Sequence, residues 1–81
     1  MEQYVATFHT HLAALRSCRA VQKSGDAGAR MAPVPRCLSS SCGTCLFYQG
    51  EGPLIPLLDR DLEAVYREGE KGYVLVHQAA E

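Results

Sequence analysis

Two prolines one residue apart, Pro33 and Pro35, fall inside a stretch that otherwise reads as extended, Arg30-Met31-Ala32-Pro33-Val34-Pro35-Arg36. Proline has no N–H to give to a sheet ladder, so a strand carrying two of them belongs at an edge. That fixes one position in any sheet the chain builds. The other segments of the 81 residues must supply the interior strands and the layer that covers them.

The segments on either side have distinct periods. Tyr4-Val5-Ala6-Thr7-Phe8 is aromatic and β-branched, and reads as the first strand. Thr10 is a candidate N-cap, and Ala14, Leu15, Cys18 and Val21 then mark one face of a helix from His11 to Ser24. Gly25 stops it. After the proline strand comes a loop of small residues, Cys37 to Cys45, and then Leu46-Phe47-Tyr48 as a third strand. Asp59 is a second candidate N-cap. Leu58, Leu62, Val65 and Tyr66 repeat the helical spacing up to Gly69, and Tyr73 to His77 is the last strand. The order β-α-β-β-α-β predicts a ferredoxin-like α/β (α+β) sandwich, an antiparallel sheet with two helices on one face, as one domain over 1–81. The second strand is an outer one in that topology, as the prolines require. The end of the first strand, the start of the helix and the loop after the second strand then share one end of the sheet. His9, Thr10 and His11 are therefore expected beside Ser39–Cys45.

Charge narrows the function. There are 8 Lys and Arg against 9 Asp and Glu, with no run of basic residues, so the clustered positive surface that nucleic acid requires is missing. The longest uncharged stretch, Cys37 to Gly50, is serine-rich and shorter than the roughly 20 apolar residues of a membrane span. Met1-Glu2-Gln3-Tyr4 has no basic and apolar leader pattern, so the expected location is cytoplasmic. In that compartment structural disulfides are rare. Cys37, Cys42 and Cys45 crowd together, with Cys18 apart on the helix face, and this points to thiol chemistry or metal binding. No phosphate loop, catalytic triad pattern or acid–base pair stands out. The run Asp59-Arg60-Asp61 with Glu63 reads as a solvated helix start favoured by the dipole.

Within the loop, Cys42 is the candidate nucleophile. Gly43 leaves its sulfur open and allows a positive φ, Ser40 and Ser41 offer hydroxyl and N–H donors, and Arg36, His9 and His11 are the cations or proton donors within reach of the topology. Lowering a thiol from about 8.5 to about 6.5 raises its thiolate fraction about 25-fold at neutral pH, but lost nucleophilicity returns about tenfold, leaving about two- to threefold. Exposure of the sulfur and support for an anionic adduct matter more. Cys45 has two readings: a resolving thiol that closes a CxxC pair with Cys42, or a small core-facing residue. Cys37-x4-Cys42-x2-Cys45 matches three ligands of a plant-type iron–sulfur pattern, yet no cysteine follows, and Cys18 faces the core as a small hydrophobe. Zinc on Cys42, Cys45 and His9 or His11 lacks a second cysteine pair. No cofactor or metal is expected.

Phe8-His9-Thr10-His11, a following helix with Ala14-Leu15, then Met31-Ala32-Pro33-Val34-Pro35-Arg36 and Leu38-Ser39-Ser40-Ser41-Cys42-Gly43 together resemble the selenium/sulfur carrier protein-like family, a small bacterial domain. The resemblance implies a chalcogen carried on Cys42 as a persulfide or perselenide, taken from a donor such as a desulfurase and passed to an acceptor enzyme. It implies a carrier rather than a stand-alone catalyst. Cys45 departs from the pattern of many relatives and adds the CxxC. The alternatives are a thiol–disulfide or metal-binding module using that pair, or a module whose loop docks on a larger enzyme. The exposed edge of the last strand offers a place for two copies to pair.

Overall fold

A computed structural model describes residues 2–38 and 40–79. The central strand is β1, Glu2–Phe8, in which every residue from Tyr4 to Phe8 is buried on both faces. Such two-sided burial requires a neighbour on each edge and a cover on each face. The neighbours are β3, Thr44–Gly50, and β4, Leu62–Gly69, both antiparallel to β1. Outside them lie β2, Arg30–Pro33, and β5, Gly72–Gln78, giving a five-stranded sheet in the order β2-β3-β1-β4-β5. The proline strand is at the edge, as its missing N–H demands.

One face of this sheet is covered by α1, His11–Lys23. Thr10 caps it, with its hydroxyl oxygen accepting the Ala13 N–H at 3.1 Å. The chain then leaves the helix through Gly25, whose φ of +129° suits glycine. Ala13, Ala14, Cys18 and Val21 pack against Tyr4, Ala6, Phe8, Leu46, Tyr48 and Val65. The register explains the match, since Tyr4 sits across from Tyr48, and Ala6 across from Leu46 on one side and Val65 on the other.

The second helix expected between Leu58 and Gly69 does not form. Leu62–Gly69 is β4, and the described residues contain one α-helix. Two features of the sequence misled. A spacing of four is even, so Leu58, Leu62 and Tyr66 fit period two as well as period 3.6. A bulge opposite Thr7 and Phe8 then shifts the parity, so Leu62 and Val65 both join the core under α1. What decides is tertiary: β1 needs an edge partner, and pairing overrides a marginal helical pattern. The crossover to β4 is instead irregular, with one 3-10 turn at Ile55–Leu57. Leu54, Ile55, Leu57 and Leu58 pack on the core in place of the missing helix. Asp59, expected as an N-cap, ties this crossover to α1: its N–H donates to Ser17 Oγ at 2.8 Å, and Oδ2 stands 3.8 Å from the Arg16 guanidinium. The ferredoxin-like sandwich is thus corrected to one helix on a five-stranded antiparallel sheet.

Candidate functional site

The β2–β3 connection, Val34 to Gly43, is a loop pinned at its base, where the Val34 N–H donates to the Gly43 carbonyl at 3.2 Å. Inside it, turns close from Leu38 N–H to Pro35 O at 3.0 Å and from Gly43 N–H to Ser40 O at 3.4 Å. Gly43 has φ +73°, where a side chain would be strained, and this left-handed residue turns the chain into β3 just after Cys42. Ser39 lies outside the described residues.

Cys42 is partly exposed. Its S–H donates to the Thr44 carbonyl at 3.4 Å, and Ser40 Oγ lies 3.7 Å from the sulfur. Both supports lead to a histidine. Thr44 Oγ1 meets His11 Nδ1 at 3.4 Å. Ser40 Oγ has two acceptors for its single hydrogen, the Phe8 carbonyl at 2.9 Å and Glu63 Oε1 at 3.1 Å, and Glu63 Oε2 stands 3.5 Å from His9 Nδ1. The loop therefore does meet the end of β1 and the start of α1. Neither imidazole touches the sulfur directly: His11 reaches it through Thr44, and His9 through Glu63 and then Ser40.

Glu63 organises the loop. Besides Ser40, it accepts the Ser41 N–H at 3.0 Å and the Ser41 hydroxyl at 2.7 Å. It is the residue skipped by the register between β1 and β4, where Thr7 pairs with Ala64 and Phe8 with Leu62. A bulge re-aims the side chain it carries, and here it throws the carboxylate over the end of the sheet. Burial works to raise the Glu63 pKa, but the Ser41 N–H, the Ser41 and Ser40 hydroxyls and His9 outweigh it, holding the carboxyl below its usual range. The reading of Glu63 as part of a solvated helix start is corrected accordingly. Alternation along a strand would have put its neighbours in view; the bulge that aims it leaves no mark in the sequence.

The other thiols divide sharply. Cys45 pairs with Thr7, has no exposed surface, and points its S–H toward the Pro33 carbonyl at 3.7 Å. Burial pushes its thiol up to about 11; nearby Arg30 opposes this and Cys42 adds to it. Its placement is that of the core-facing residue. Cys18 is buried under α1 with its S–H toward the Ala29 carbonyl, and burial first, then Asp26, raises its pKa against Arg19. Cys37 is exposed. Arg36 is exposed at the turn before it, and among the described residues no hydrogen bond or ion pair joins Arg36 to Cys42. The cation expected beside the sulfur is thus turned to solvent. Among the described residues no three His, Cys, Asp or Glu side chains are grouped closely enough to hold a metal ion. Among the described residues no helix is long and apolar enough to cross a membrane.

Residues 3–53 match the family described as "Putative Se/S carrier protein-like". The chain belongs to this family. The matched span takes in β1, α1, β2, the cysteine loop and β3 of this Se/S carrier-like chain, and ends before β4. Cys42, Ser40, Ser41, His9 and His11 lie inside it, and Glu63 lies beyond it. No curated protein and no solved structure matches the chain.

Proposed function

We propose that the protein is a carrier that holds sulfur or selenium on Cys42 as a persulfide or perselenide. The observation that carries this reading is the contrast among the thiols of the family-matched span: Cys42 alone is both accessible and set among polar groups of the loop, while Cys18 and Cys45 are buried and raised. Loading needs a donor that already bears a persulfide, such as a desulfurase. The Cys42 thiolate attacks the outer chalcogen atom, a new bond to Sγ forms as the donor's own bond breaks, and the donor cysteine leaves as a thiolate that takes up a proton. The chalcogen moves without change of oxidation state. Delivery repeats the exchange, with a nucleophile of the acceptor enzyme freeing Cys42. Nothing in this cycle requires a stand-alone catalyst in the chain.

The test is the intact mass after incubation with a desulfurase and cysteine, or selenocysteine. One added chalcogen that disappears in Cys42→Ser is the expected result. An unchanged mass, or an addition that survives Cys42→Ser, overturns the reading. The alternative, a redox pair of Cys42 and Cys45, is weakened by the sealed, raised thiol of Cys45. It predicts a Cys42–Cys45 disulfide in peptide maps of the oxidised protein.

A further inference from the structure

We propose that Glu63 and His9 together are positioning residues that set the reactivity of Cys42: the carboxylate fixes Ser40 against the sulfur, and its negative charge is cancelled at the sulfur only while His9 carries a proton. The inference rests on Cys42 as the working thiol, but concerns how that sulfur reacts rather than what it carries.

The geometry is a chain of short links. Ser40 Oγ stands 3.7 Å from Cys42 Sγ and 3.1 Å from Glu63 Oε1, so the carboxylate is no further from the sulfur than these two legs together. Glu63 Oε2 is 3.5 Å from His9 Nδ1, and the His9 side chain is 57% exposed, free to exchange protons with water. His9 is held there because its backbone N–H donates to the Asp61 carbonyl at 2.9 Å. Among the described residues the groups around Glu63 are few. The β1–α1 turn brings His9, the loop brings Ser40, Ser41 and Cys42, and its own segment brings Asp61. On β5, His77 lies across from Val65, and the Ala79 N–H binds the Glu63 carbonyl rather than its carboxylate.

The consequence for the sulfur follows from charge. A carboxylate at this range repels the negative charge of an attacking sulfur. Reactivity and charge stability partly offset each other at sulfur, so the effect expected in the rate is about two- to threefold. An imidazolium beside Glu63 removes the penalty, and histidine titrates in the range where this matters.

The experiment follows Cys42 reacting with the small neutral disulfide dithiodipyridine, from about pH 5.5 to about pH 8, the range that brackets ordinary histidine ionisation. The background is Cys37→Ser, so that the other thiols, Cys18 and Cys45, are buried. The Glu63→Gln rate should exceed the parent rate by about two- to threefold, because the charge that His9 carries is the same in both chains. For His9→Asn the ratio to the parent rate should fall to about half or less at the acid end and return to about one at the basic end. Ser41→Ala, which loosens the clamp without a path to the sulfur, should give a ratio that does not vary with pH. A Glu63→Gln rate no faster than the parent rate overturns the proposal. So does a His9→Asn ratio that does not vary, and this variant decides the matter should Glu63→Gln fail to melt cooperatively. The readout needs no chalcogen donor, so its failure is separate from a failure to load Cys42.

Discussion

Cys42 and Cys45 are three positions apart and meet opposite surroundings. One sulfur is partly open and set between a carbonyl and a hydroxyl, and the other has no exposed surface and a thiol raised to about 11. Brief alkylation of the native protein, read by peptide mapping, should therefore label Cys37 and Cys42 and leave Cys18 and Cys45 unmodified until denaturant is added. Equal labelling of Cys45 would contradict the packing described. Glu63 allows a prediction on stability. Its folded pKa is depressed below the ordinary value near 4.5, so the stability it contributes is fully present above that value and is lost as pH falls through the folded pKa. Urea melts of the parent should show an advantage over Glu63→Gln near neutral pH that shrinks below about pH 4.5.

At the scale of single elements, local signals were sound where one residue's covalent chemistry decides. Thr10 caps α1, and Thr10→Ala should lower stability by about 1 kcal/mol in a denaturant melt. Pro33 placed the second strand at the edge because a missing N–H cannot be compensated from outside, while Pro35 lies past the strand's end. Gly43 takes the positive φ expected after Cys42, so Gly43→Ala should cost about 1–2 kcal/mol and shift the turn that presents the sulfur. That His9 and His11 lie at the end of the sheet that holds the cysteine loop was expected from the β-α-β-β-α-β order, and the part of it that decides this, β1, α1 and the β2–β3 connection, is the part that formed. What was not legible depends on pairing. Leu62 to Gly69 satisfies two periods at once, and the edge of β1 chooses between them. The aim of Glu63 depends on a bulge, and the burial of Cys45 on the phase of β3, where a slip of one residue would send its side chain to the other face.

For the molecule as a whole, the family-matched span is not the whole folding unit. It ends at Pro53, yet β1 is buried between β3 and β4, and Val65 and Leu62 of β4 belong to the same core as Phe8 and Val21. A chain cut after Pro53 should show no cooperative thermal transition by circular dichroism, because its central strand would be left with a bare edge and its core without Leu62, Val65 and the leucines of the crossover. The intact chain should unfold in one step, and Phe8→Ala should cost about 3–5 kcal/mol of it, since Phe8 has no exposed surface. The exposed position of Cys37 has a practical outcome too. With Cys45 locked away from oxidants, air oxidation has little to join within one molecule at the CxxC, so ageing should link separate molecules through their Cys37 sulfurs. Samples stored without reductant should accumulate covalent pairs that run at double mass on a non-reducing gel.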